Sequence, residues 1–283
     1  MTVPLPPSTD LDLSSDHLRQ VASSSRFAAA LRVSARRSVW SALVLLSALA
    51  SSGAAEPAPW PEWRAPMLAS FETELRTVNA ALVASPDSVP LLSKRGDCHV
   101  FLGRFAEAVA DYEKMIALDP TTDAPHWRLG IAYYFAGEFA KSARQFEKYH
   151  AYDSRDRENG MWKFLADVQT GGVEKARAVM LPYTRFDREP FPSLYEMFAG
   201  KRTPEEVLVE IRDKGLEDNP QVAFFGNYYA GLGEAVLGRS DRALLLVEKA
   251  VALPAARTPS GPGYMWQVAR LHWERLRGEH RRE

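Results

Sequence analysis

Residues 96–115 read GDCHVFLGRFAEAVADYEKM, and residues 130–149 read GIAYYFAGEFAKSARQFEKY. Laid over one another, Gly96 falls on Gly130, Gly103 on Gly137, Phe105 on Phe139 and Tyr112 on Phe146, a constant spacing of 34. Glu113-Lys114 falls on Glu147-Lys148, and upstream Pro86 and Pro120 keep the same distance. A fixed period of this length marks stacked repeats, each a supersecondary unit that buries its apolar face only against its neighbours. Apolar residues recur at helical spacing within each copy, and no alternating run of strand type appears anywhere, so the chain reads as all-α.

The small residues have mechanical roles. Gly96, Gly130 and Ala108 fall where paired helices cross too closely for a larger side chain. Gly103 and Gly137 fall between two helices, where a left-handed residue ends the first. With Leu92, Gly96, Gly103, Ala108, Tyr112, Leu118 and Pro120 in residues 89–122, this pattern resembles the tetratricopeptide repeat, a helix–turn–helix unit of about 34 residues. In residues 123–156 the same positions hold Trp127, Leu129, Gly130, Tyr133, Gly137 and Phe146, with Ser154 where proline is usual. The resemblance implies an α-solenoid that binds other proteins.

Further copies are less regular. A partial repeat is expected over 61–88, with a helix at 71–84 paired with a segment at 60–67, and a degenerate one over 157–190, split by Gly171-Gly172. A short helix follows at 193–199. Thr203-Pro204-Glu205-Glu206 then has the form of a helix start, with a capping threonine, proline in the first turn and a glutamate placed for a capping box. Residues 224–257 restore the repeat through Gly231, Gly238, Ala243, Ala250 and Leu253, and a helix within 262–278 would cap the stack.

The first 55 residues read differently. Arg36-Arg37 precede an apolar run at 39–50 and the small residues Ser51-Ser52-Gly53-Ala54-Ala55, the form of a removed secretory signal. The run is too short for a permanent membrane span. Residues 56–283 then form one solenoid, in an exported, extracytoplasmic and soluble protein such as a periplasmic one. Lys and Arg number 35 against 36 Asp and Glu, which leaves no electrostatic footprint for nucleic acid. One cysteine excludes an intrachain disulfide framework and any multi-thiolate site.

No catalytic constellation is legible, so the chain is expected to be no enzyme and to need no metal or cofactor. Cys98 and His99 are adjacent on a helix and point about 100° apart, which fits a packed thiol rather than a nucleophile with its base. Gly231, Gly233 and Gly238 mimic a nucleotide-binding loop but follow no strand and have the wrong spacing. What remains is the inner face of the stack, lined by the first helix of each repeat. Its expected residues are Ser93, Asp97 and Val100, then Trp127, Ile131 and Tyr134, and later Phe225, Tyr228 and Leu232. Aromatics there suit partner binding, although at helical spacing they equally suit a core. The lysine–asparagine clamp by which some tetratricopeptide domains hold a terminal carboxylate is replaced by Ser93 and Asp97, and Asp97 would repel a carboxylate.

Over 63–277 the order of repeats, the Trp162-Lys163-Phe164-Leu165 helix, the segment 194–200 and Asn227-Tyr228-Tyr229 resemble the NlpI-type tetratricopeptide lipoproteins of the bacterial envelope. That resemblance implies an adaptor that brings murein hydrolases to an envelope protease and can dimerise. Unlike those proteins, this chain has no cysteine after its apolar run for lipid attachment. The expected function is thus a noncatalytic adaptor or scaffold that binds peptides or helices of other proteins, with a purely structural assembly factor and an enzyme lacking a recognised motif as alternatives. Trp60, Trp63 and the C-terminal helix offer a face on which two copies would pair.

Overall fold

The computed structural model describes residues 60–258 and 262–278, all within one compact unit. The signal segment expected over 1–55, with Arg36 and Arg37, lies outside the described residues. Among those described, α1 (Arg64–Ala84) precedes the pairs α2 (Val89–Phe101) with α3 (Phe105–Leu118) and α4 (Trp127–Ala136) with α5 (Phe139–Tyr152). Next come α6 (Arg157–Gly171), α7 (Val173–Ala178), α8 (Phe191–Phe198) and α9 (Pro204–Asp213). The pair α10 (Pro220–Val236) and α11 (Ser240–Ala252) leads through a 3₁₀ turn to α12 (Tyr264–Leu276). The described residues contain no strand, and the expected all-α solenoid is what they build.

The repeat glycines do what their register requires. A Cβ on Gly96 would run into the Tyr112 ring, and one on Gly130 would stand 2.6 Å from Cζ of Phe146. Gly231 repeats the arrangement against Val247 at 2.7 Å. In all three the obstructing residue lies 16 positions on, so one packing contact recurs three times down the stack. Its closeness lets Ser142 Oγ donate to the Gly130 carbonyl at 2.8 Å, which adds a polar tie between α4 and α5. At the inter-helix turns Gly103 and Gly137 have φ of +77° and +81°, the left-handed conformation that ends α2 and α4 and lets the chain reverse.

Local signals also hold further along. Thr203 Oγ1 accepts from the Glu206 backbone at 3.2 Å while the Glu206 carboxylate accepts from the Thr203 backbone at 2.7 Å, a complete capping box at the start of α9. Two local readings are corrected. The segments 60–67 and 71–84 are not a helix pair: α1 runs unbroken through Leu68, Ala69 and Ser70, because no glycine or proline interrupts them. And α10 begins at Pro220, four residues before the repeat register, where Asn219 caps it by accepting from the backbone of Gln221 and Val222.

The larger correction concerns α12. It packs on α11, as an end cap would, but it also reaches back to the first helices of the chain. Trp273 meets Trp60 at a ring-centroid distance of 5.3 Å, and Trp266 meets Trp63 at 5.2 Å. Arg64 Nε donates to Glu274 at 2.7 Å. The face expected to pair two copies is therefore occupied within one chain. Helical spacing showed that α12 has apolar residues to bury. It could not show that Met265, Trp266 and every residue from Val268 to Glu274 would be buried, on all sides of the helix.

Candidate partner-binding face

The helices α2, α4, α6 and α10 present their side chains to a common inner face, and α12 lies against it. At one end Tyr264 packs edge-on against Phe101 of α2 at 5.0 Å and against Trp127 of α4 at 4.9 Å. Further on, the His272 ring stands among Tyr134 and Phe135 of α4, Trp162 of α6 and Tyr228 of α10, at centroid distances from 4.8 to 5.8 Å. The Tyr228 hydroxyl lies 2.7 Å from His272 Nδ1. Burial drives the His272 pKa well below the ordinary imidazole value, and Arg275 adds to the effect, so the ring is neutral. Between these two ends Arg270 donates to the Phe101 carbonyl at 2.5 Å and to Glu274 at 2.8 Å. Burial would raise the Glu274 pKa, but the hydrogen bonds and charges of Arg64 and Arg270 hold it below the ordinary value.

The residues expected on the inner face therefore divide into two sets. Ile131, Tyr134 and Tyr228, with Val100, Phe225 and Leu232, are buried. Tyr134 and Tyr228 are brought together by His272, a residue that the repeat register gives no reason to place there. Ser93, Asp97 and Trp127 stay half-exposed at the rim. Asp97 accepts from the Tyr112 hydroxyl at 2.6 Å and from Arg128 Nη1 at 2.8 Å. Burial nonetheless outweighs both and leaves its pKa raised. Because Arg128 balances its charge, Asp97 is not the bare repulsive carboxylate that its position in the sequence suggests. The Arg128 guanidinium also lies 5.4 Å from the Trp127 ring and 5.2 Å from that of Tyr264, so rim ion pair and aromatic platform form one cluster.

A second polar cluster ties the irregular middle of the chain to the stack. Glu158, on the first turn of α6, accepts from Tyr229 of α10 at 2.7 Å and from Arg188 at 2.8 Å. Trp162 in turn donates to the Tyr229 hydroxyl at 3.0 Å. Burial, reinforced by the nearby Asp156 charge, pushes the Glu158 pKa up to about 7 despite Arg188 and the Tyr229 hydrogen bond. Asp187 accepts from the Arg157 backbone at 3.0 Å and Asp156 from that of Glu158 at 3.1 Å, so these carboxylates cap the N-terminus of α6.

Cys98 is buried, and desolvation raises its pKa to about 11, which keeps the thiol protonated. No group of three or more His, Cys, Asp or Glu among the described residues could hold a metal ion. No helix among them is long and apolar enough to cross a membrane.

Residues 96–137 match the family model described as TPR repeat. They run from the first packing glycine through α3 to the turn after α4. Over 108 residues the chain is 29% identical to the Bos taurus protein named Protein SGT1 homolog, a stretch that is 38% of this chain and 32% of that protein. The chain thus matches about a third of that relative's length. The stack is an all-α solenoid of tetratricopeptide-type repeats, and repeats of this kind indicate a protein-binding adaptor or scaffold.

Proposed function

We propose that the protein is a noncatalytic adaptor that binds peptide or helical segments of other proteins at the inner face of its repeats. The observation that carries this reading is the rim cluster of Trp127, Arg128, Asp97 and Tyr264. It is a half-exposed aromatic platform with a balanced ion pair, set where α2 and α4 present their inner surfaces. An aromatic ring and an arginine side by side are the usual anchors of a protein interface. Ser93 extends the same rim along α2. The signal-like segment 39–50 and the layout over 63–277 support an exported, periplasmic setting, with an envelope protease or a murein hydrolase as partner.

A structural assembly factor is the second reading, favoured by one observation: Ile131, Tyr134 and Tyr228 already have full packing partners inside the chain. Capture of partners from an envelope extract separates the two. With the chain from residue 56 as bait, Trp127→Ala should lose the specific partners tenfold or more while its helical circular dichroism stays that of the wild type. Retention of every partner by a folded Trp127→Ala chain would move the binding surface away from this rim. N-terminal sequencing of the exported form checks the setting, with cleavage expected near Ala55 and residues before 39 absent.

A further inference from the structure

The inner face is filled from within, and the helix that fills it has the composition of a ligand rather than of a core. Reading YMWQVARLHWERL, α12 is rich in Trp, Tyr, Met and Arg, the residue types enriched at protein interfaces, and has only two leucines and one valine. It places Arg270, His272 and Glu274 in full burial, where cores normally hold aliphatic residues. His272 Nε2 and Trp273 Nε1 are buried without a hydrogen-bond partner among the described residues. Its own backbone bonds are internal to the helix, and its ties to α1, α2, α4, α6 and α10 all run through side chains. An element of that kind can leave without orphaning a sheet or a turn.

We infer that α12 is a ligand bound in cis between the inner face and the N-terminal segment that carries Trp60, Trp63 and Arg64. In exchange for it, this seat accepts a partner helix that carries an arginine with an aromatic residue four positions before, another three positions after and a carboxylate four positions after. That pattern is Trp266, Arg270, Trp273 and Glu274 of α12, and the receiving groups are Trp63, the Phe101 carbonyl, Trp60 and Arg64 in the same order. An empty face would expose Tyr134, Phe135, Trp162 and Tyr228 together, so α12 is replaced rather than merely released. This deepens the adaptor reading and rests on it: the buried half of the inner face, closed to a partner while α12 is seated, becomes the second half of the binding site beside Trp127, Arg128 and Asp97, while Tyr264 leaves with α12.

Hydrogen exchange of the full chain tests the exchange step. In the wild type the amides of α12 should exchange at least tenfold faster than those of α10, through an opening that leaves α10 protected. A fluorescent peptide spanning residues 262–278 should bind the full chain measurably. It should bind at least tenfold more tightly to an Arg270→Ala chain, whose tethered helix competes less well, and more weakly when the peptide itself carries Arg270→Ala. If α12 and α10 exchange together, only on global unfolding, α12 is ordinary core and the inference falls. The wild-type exchange alone decides this should Arg270→Ala not fold. A concentration-dependent dimer that trades α12 between copies would make a second copy the occupant and overturn the assignment to a foreign helix. Failure to capture any protein from an extract, with α12 exchanging and the peptide bound, would count against the adaptor reading alone.

Discussion

At the scale of single residues the repeat is held by a few positions whose chemistry admits little else. Gly130 has no room for a methyl group against Phe146, so Gly130→Ala should lose about 1–3 kcal/mol in urea unfolding. A Cβ on Gly137 would meet nothing within 4 Å, but φ is +81°, so Gly137→Asn, which tolerates the left-handed region, should cost less than about 1 kcal/mol. Glu158 gives a pH prediction with a definite sign. Its pKa in the fold is about 7 against an ordinary 4.5, so the native state holds the proton that the unfolded chain has released. Stability contributed by this group therefore falls as pH rises from about 4.5 to 7. Glu158→Gln keeps an acceptor for Tyr229 and should remove that fall, seen as a smaller loss of stability between pH 5 and 7 than in the wild type. His272 acts in the opposite sense, because its folded pKa lies well below 6.5. The stability tied to its neutral form is lost as pH falls below about 6.5, so acidification should loosen the seat of α12.

At the scale of elements, the helices with strong local signals are those whose limits were readable. The capping box at Thr203 is an example: Thr203→Ala should cost about 1 kcal/mol and fray the start of α9, visible as lost amide protection at the first turn. The bounds of α2 to α5 follow from glycine register and periodicity, both local properties. What α12 would pack against was not readable. Its sequence shows an amphipathic period, but a period states only that one face is apolar and not which surface receives it. Likewise Ile131, Tyr134 and Tyr228 were recognisable as inward-facing. Whether inward meant groove or core depended on a helix that begins 130 residues or more after the first two of them. The one available hint was the Trp, Tyr and Arg content of α12 itself, and composition carries no coordinates.

At the scale of the molecule, α12 changes how the stack holds together. An open repeat array joins only nearest neighbours, and its ends can unfold separately. Here one helix touches α1, α2, α4, α6, α10 and α11, so the described solenoid should unfold in a single transition, with tryptophan fluorescence and helical circular dichroism coincident. Trp273→Ala removes a buried ring that packs on Trp60 and Trp63. It should cost about 3–5 kcal/mol and separate the two probes. By itself the sequence determined the all-α class, the two central repeats with their packing glycines and left-handed turns, and the set of residues that point inward. All of these depend on contacts within some 40 residues of chain, where helical period and register leave few alternatives. Only the tertiary structure decided that the inner face is filled and that the paired tryptophans meet inside one chain. The Trp60–Trp273 and Arg64–Glu274 contacts join residues more than 200 positions apart, and at that separation no local periodicity constrains which apolar face meets which.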